Sequence, residues 1–173
     1  MNHDPGSLGM KLRVYRIMTK GLDGEDPLSI AIFDDTGNSG AARVASSLAA
    51  EIAAWFGPRD ESPISIVVQV GDAGVGGLNG STHWGWCYIR QLWVQEDWRR
   101  QGLGYRLLSE AETQARARQC VGLYVDTFDA GAATFYERAG FTPFGQIPGF
   151  PPGHTRTFLR KNLAPTGSAD GIE

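Results

Sequence analysis

The chain is poor in the residues from which several kinds of protein are built. Two cysteines in 173 residues are too few for a disulfide framework, and neither Cys87 nor Cys120 stands at a ligand-like spacing from any of the three histidines, which argues against a metal site. Both read as small buried hydrophobes in a reducing compartment. No apolar run approaches the ~20 residues needed to span a bilayer. The first nine residues carry neither a basic flank nor an apolar stretch, so they do not read as a secretory signal. An excess of basic residues is also missing. Lys and Arg number 16 against 19 Asp and Glu, for a formal net charge of −3 and a pI of about 5.6, which argues against nucleic acid as a partner. The expectation is a cytoplasmic protein that holds no metal and binds neither membrane nor nucleic acid.

What is present is ordinary for a globular domain: 42% hydrophobic and 20% charged residues, on a chain long enough for one core. The domain is expected at residues 11–163, with loose tails at 1–10 and 164–173, and Met10 is as good a start as Met1. Lys11 to Met18 has strand character; Leu28 to Phe33 reads equally as a short strand or the end of a docked helix. Ala41 to Phe56 places Val44, Ala45, Leu48, Ile52 and Trp55 on one side of a helix that Gly57-Pro58 ends. Ile64 to Val70 is β-branched, and Gly71 to Gly74 turns it into Val75 to Asn79. Gly80 to His83 is expected as a second turn, with His83 on its surface, leading into a long strand from Trp84 to Val94. Along that strand Trp84, Trp86 and Tyr88 share a face, which favours core packing over an acceptor pocket.

The informative stretch follows that strand. Arg99-Arg100-Gln101-Gly102-Leu103-Gly104 stands where the strand gives way to a helix marked by Leu103, Leu107, Leu108, Ala111 and Ala115. Unpaired amides and the positive end of a helix dipole, with glycines that let a ligand come close, make a phosphate cradle. Leu107 occupies the place of a third glycine, which excludes a dinucleotide fingerprint, and the absence of Lys-Ser/Thr after Gly104 excludes a P-loop. Beyond the helix, Gly122 to Thr127 makes a strand parallel to the preceding one, by a right-handed crossover. Asp129 then caps a short helix that Gly140 closes. Thr142 to Leu163 reads as two strands joined by the loop 148–154.

Two motifs in this order, Arg99-x-x-Gly102-x-Gly104 and Asp129-x-x-Ala132-x-x-Phe135-Tyr136-x-x-x-Gly140-Phe141, resemble the signatures of the GNAT superfamily of N-acetyltransferases over roughly Leu12 to Leu163. The resemblance implies a single α/β domain around a mixed, mostly antiparallel sheet that splays between its two middle strands. It implies acetyl-CoA as co-substrate and direct transfer to a small amine; acetylation of a protein amino group and a silent acyl-CoA sensor are the alternatives, and a homodimer is left open. By the family pattern, the backbone of Leu92, Trp93 and Val94 pairs with the pantetheine arm. Arg99, Arg100, Gln101, Gly102, Leu103, Gly104 and Tyr105 wrap the pyrophosphate. Asp129, where the family has Asn, and Ala132 adjoin the pantetheine, and Tyr136 protonates the departing thiolate. For the base, Asp126 and His154 are candidates, with Glu96 and ordered water behind them. The acceptor cleft is expected to be faced by Asp34, Asp35, Trp55 and Phe150.

Overall fold

The computed structural model describes residues 13–16, 29–33 and 36–163. The expected tails, the loop at 19–27, Asp34 and Asp35 lie outside the described residues. The chain forms two compact units, Met1–Pro58 and Arg59–Glu173.

In the first unit, strands β1 (Arg13–Arg16) and β2 (Ser29–Ile32) pair antiparallel, Arg13 opposite Ile32, so the ambiguous segment is a strand. Helix α1 (Ser39–Phe56) begins where the Asn38 side chain accepts from the Ala41 N–H at 2.9 Å and stops at Gly57, whose φ of +79° suits a residue without Cβ.

The second unit contains a six-stranded sheet of β3 (Ser62–Val70), β4 (Ala73–His83), β5 (Trp86–Val94), β6 (Gly122–Thr127), β7 (Thr142–Pro148) and β8 (Thr155–Asn162), ordered β3-β4-β5-β6-β8-β7. Only β5 and β6 run parallel. They are joined through α2 (Leu103–Ala117), as a crossover requires. Leu107, Leu108, Ala111 and Ala115 of α2 bury against Ile64, Leu78, Cys87, Ile89, Leu123, Val125 and Leu159 of the sheet. Helix α3 (Ala130–Arg138) adds Tyr136 to the same core, with Phe141 just beyond it. Both α3 ends have the chemistry expected of them. Asp129 accepts from the Ala132 N–H at 2.7 Å, and the Gly140 and Phe141 amides bond to the carbonyls of Glu137 and Tyr136, a Schellman closure around a glycine at φ +90°.

Two expectations fail at the β4–β5 junction. Residues 80–83 are not a turn: β4 runs on to His83, and the reversal falls at Trp84-Gly85, at φ +45° and +72°. Two successive positive φ values are the mark of a type I′ hairpin turn, normally written Asn-Gly or Gly-Gly. A tryptophan in that place hides it, and the Trp84 N–H is held by Asp60 Oδ1 at 2.8 Å. Trp84 is therefore a turn residue, while Trp86 and Tyr88 are half-buried on the sheet face away from the core.

The splay of the sheet has a local cause. The β4–β5 register pairs Asn79 with Gln91 but Gly80 with Ile89, so Arg90 is an extra residue bulged out of β5. A Cβ at Gly80 would lie 2.1 Å from the Tyr88 carbonyl oxygen, so the bulge requires glycine opposite it. The β5–β6 ladder ends at Ile89–Val125, although both strands continue. The bulge also exchanges the two faces: Cys87 and Ile89 point into the core before it, Leu92 and Val94 after it.

Candidate active site

The gap beyond Ile89 is where the chemistry-bearing residues gather. Since the Gln95 N–H bonds the Val75 carbonyl at 2.9 Å, alternation along an antiparallel strand turns the backbone groups of Leu92 and Val94 the other way, into the gap. Two cavities open on it. One, of about 670 Å³, is lined by Arg99, Arg100, Gly102, Leu103, Gly104, Tyr105 and Arg138 among others; the second, of about 610 Å³, holds Asp126 and Tyr136. Leu92, Trp93 and Ala132 line both, so the cavities meet at the splayed strand. The cradle lines one of them and the phenol the other.

The cradle end gathers cationic side chains and an uncapped helix start, which together favour an anion. Helices α1 and α3 have their first amides capped by Asn38 and Asp129, whereas α2 begins at Gly102 with no side-chain cap and no acidic residue in its first turn. Its opening N–H groups face the cavity, with the helix dipole behind them. The two glycines differ in purpose. Gly102 has φ +81° and open space around its missing Cβ, whereas a Cβ on Gly104 would lie 3.1 Å from the Phe135 ring. Gly104 thus lets α3 approach α2, which explains why Phe135 belongs to the second motif. The loop is tied down by Arg99 Nε on the Val94 carbonyl at 2.9 Å and by Gln101 Nε2 on the Asp97 carbonyl at 2.8 Å. Gln101 is the one loop residue of the seven that does not line the cavity. Arg138, on the last turn of α3, does line it. It stands at a variable position of the second motif, between Tyr136 and Gly140, so only the helical register from Asp129 could have brought it to notice.

At the other end Tyr136 is 6% exposed, and its hydroxyl has no hydrogen-bond partner among the described residues. Burial, and secondarily the negative charge of Asp126, push its pKa up to about 12, so the phenol keeps its proton throughout the neutral range. Asp126 is engaged on both oxygens: Oδ1 accepts from the Tyr88 hydroxyl at 3.0 Å, and Oδ2 from Arg156 Nε at 2.6 Å and its terminal nitrogen at 2.5 Å. The Tyr88 phenol is itself raised, by burial and by this bond to Asp126. The Arg156 guanidinium lies over the rings of Phe150 and Phe158, at 5.2 and 5.5 Å.

His154 is not brought to this cavity. Its backbone closes the 148–154 loop, accepting from Gly149 and Phe150, and its side chain is exposed. Glu96 opens a 3-10 turn on the surface. Asp129 lines the cradle cavity, but its carboxylate is used in capping α3, a task for which Asp serves as well as Asn. Trp55 belongs to the first unit and Phe150 to the second. Among the described residues no cluster of three or more His, Cys, Asp or Glu could hold a metal ion, and no helix is long and apolar enough to cross a membrane.

The raised phenol carries a stability consequence. A group whose folded pKa lies above its unfolded value of about 10 stabilises the fold fully below pH 10 and loses that contribution as the pH climbs toward 12. Between pH 8 and pH 11 the native chain is therefore expected to lose about 1.4 kcal/mol more unfolding free energy than Tyr136→Phe. Urea titrations at the two pH values measure this.

Comparison with known proteins agrees with the geometry. The sequence model of the acetyltransferase (GNAT) family matches residues 32–141, and the chain belongs to that family; it is an acyltransferase. An acetyltransferase of Agrobacterium fabrum is 40% identical over 111 residues, 64% of this chain and 81% of the relative. Blasticidin-S acetyltransferase of Streptomyces morookaense is 43% identical over 89 residues, 51% of this chain and 65% of the relative. Among solved structures, an acetyltransferase from Agrobacterium tumefaciens superimposes with a TM-score of 0.69 at 35% identity, over 76% of this chain and 98% of that one. The mixed α/β class and the splayed sheet expected from the motifs are those of the structure.

Proposed function

We propose that the protein moves an acetyl group from acetyl-CoA directly to a primary amine of a small molecule. The observation that carries this reading is the junction of the two cavities at Leu92, Trp93 and Ala132, with an uncapped helix start on one side and a buried, unpartnered phenol on the other. The α2 amides with Arg99, Arg100 and Arg138 hold the diphosphate end of the coenzyme. A helix terminus supplies about 0.3–1 kcal/mol, against about 8 kcal/mol for micromolar binding. Charge-assisted bonds from the arginines and burial of the pantetheine arm along Leu92 and Val94 therefore contribute most of the affinity.

At the reacting end the neutral amine nitrogen attacks the thioester carbon. The Val94 N–H faces the gap and steadies the oxyanion. The C–S bond then breaks and the sulfur takes the Tyr136 proton, which water restores to the phenolate. A phenol near 12 is a weak partner for a thiol near 8.5 in water. Inside the same partly desolvated cavity, however, the thiolate is destabilised as the phenolate is, so the two pKa values move together. Asp126 Oδ2 is taken up by its two bonds from Arg156, but Oδ1 keeps a free lone pair beyond its bond from Tyr88. Asp126 therefore receives the amine and its proton, and it is preferred to His154 because it shares the cavity with Tyr136. The name of the Streptomyces relative favours a small acceptor over a protein one, and use of acetyl-CoA favours the cytoplasm as the site of action. The test is release of free thiol from acetyl-CoA against a panel of small amines. Turnover with at least one of them is expected, and binding of acetyl-CoA without turnover by any amine overturns the reading.

A further inference from the structure

A third cavity, about 320 Å³ in volume, opens on the sheet face that carries Asp126 and is lined by His83, Trp84, Trp86, Tyr124, Phe144 and Arg160. Trp86 and Tyr124 form its aromatic floor, and Tyr88 backs Tyr124 from outside the lining. Tyr88 stacks on Tyr124 with centroids 4.8 Å apart and planes 17° from parallel, and Trp86 meets Tyr124 edge-on. The floor is built around a missing side chain, since a Cβ on Gly122 would lie 2.5 Å from the Trp86 ring. One polar atom in the wall is unsatisfied: His83 Nδ1 is buried without a hydrogen-bond partner, while Nε2 faces the Tyr124 hydroxyl at 3.4 Å. A buried polar atom left unpaired is costly, and a ligand edge that draws the imidazole round to meet Nδ1 would recover that bond. The charged group in the lining is the Arg160 guanidinium; just outside it Arg59 lies over the Trp84 ring at 5.7 Å and is paired with Glu61, which acts on His83 and Tyr124.

Tyr124 in this cavity and Asp126 in the reacting one are two residues apart on the same face of β6, a separation of about 7 Å. The Tyr88 ring bridges them, stacked on the first and bonded to the second. The face thus has the Asp126–Arg156 ion pair at the reacting end, aromatic surface beyond it, and a cation with an unpaired histidine nitrogen at the far end.

We infer that the acceptor is an amine carrying a planar heteroaromatic ring, which lies on Trp86 and Tyr124 with its hydrogen-bonding edge toward His83 and Arg160. This rests on the acetyltransferase reading and adds the class of acceptor. Flat faces suit a flat ring, offset or edge-on. With Arg160 in the lining and the nearby Glu61 already paired with Arg59, a ring whose polar edge accepts hydrogen bonds is favoured over a second ammonium group.

Three amines of equal chain length, ending in pyridyl, phenyl and cyclohexyl groups, test it in two ways. In the thiol-release assay kcat/KM is expected to be at least tenfold higher for pyridyl than for cyclohexyl. Trp86→Ala and, on the exposed edge strand, Phe144→Ala should each shrink that ratio, and His83→Phe should erase the preference for pyridyl over phenyl. Independently of turnover, quenching of tryptophan fluorescence should give the pyridyl amine a Kd at least tenfold below that of the cyclohexyl amine. Equal kcat/KM for all three amines sinks the ring site while upholding amine acetylation. If none is acetylated, the acceptor reading of the previous section falls, and the ring site stands or falls on the quenching titration alone.

Discussion

Tyr136→Phe is expected to lower kcat by roughly 10²-fold, within the range that a general acid supplies, while the Kd for acetyl-CoA stays within about twofold because the phenol contributes little to ground-state binding. The reason is specific to this hydroxyl. It has no protein partner to lose, so the variant gives up neither a hydrogen bond nor packing, and the melting temperature near neutral pH should barely move. The ring remains against Phe135 and Phe141, at 5.2 and 5.5 Å between centroids. A fall in kcat with unchanged affinity and unchanged stability identifies a group that acts in the transition state. An equal loss of coenzyme affinity would instead make Tyr136 part of the pocket wall, and an unaltered kcat would pass the proton to water.

Gly80→Ala should be the most damaging single methyl added to the second unit. The new Cβ would stand 2.1 Å from the Tyr88 carbonyl oxygen and 3.2 Å from its carbon, both backbone atoms. No rotamer relieves such a contact, so β4 and β5 must part where Arg90 is bulged. The expected cost is roughly 3 kcal/mol or more, at the upper end of overpacking, which corresponds to about 6–12 °C in melting temperature for a chain of this size. Because the bulge turns Leu92 and Val94 toward the core and their backbone groups into the gap, the folded fraction should also bind acetyl-CoA more weakly. Differential scanning calorimetry with a coenzyme titration measures both. Native-like stability would mean that the bulge does not depend on that glycine.

The comparison of these two positions shows what a sequence can carry. Tyr136 was legible because its surroundings are local: Asp129 caps, Gly140 closes, and Phe135 and Phe141 flank it within one short helix and its exit. The α2 cradle was legible for the same reason, since a strand, two glycines and a helical apolar stripe are contiguous in the chain. Gly80 was misread as a turn residue because its need for glycine comes from the Tyr88 carbonyl on another strand. Trp84 was misread because a bulky aromatic seldom occupies a left-handed turn position, and the Asp60 carboxylate that secures it lies 24 residues away.

The reacting end was only half legible. Asp126 could be nominated from its place at a strand end, but its pairing with Arg156, 30 residues on, and with Tyr88, 38 residues back, depends on three strands coming together. Those bonds hold the Asp126 carboxylate in one orientation beside the cavity that Tyr136 lines. His154 looked equivalent in one dimension and is excluded from the cavity by the loop that its own backbone closes. His83 was assigned to a turn surface, yet its ring nitrogen is buried, because Tyr124 and Trp86 arrive beside it from β6 and β5.

The central claim is that the gap between β5 and β6, opened by the Arg90 bulge and ended by the uncapped start of α2, is the berth of the coenzyme. Isothermal titration of the folded protein with acetyl-CoA addresses it most directly. One site per chain is expected, with a Kd near the micromolar range, and a Gly104→Val variant, whose side chain must displace Phe135, should bind at least tenfold more weakly. No heat of binding from a protein shown to be folded, or full affinity in that variant, would contradict the claim.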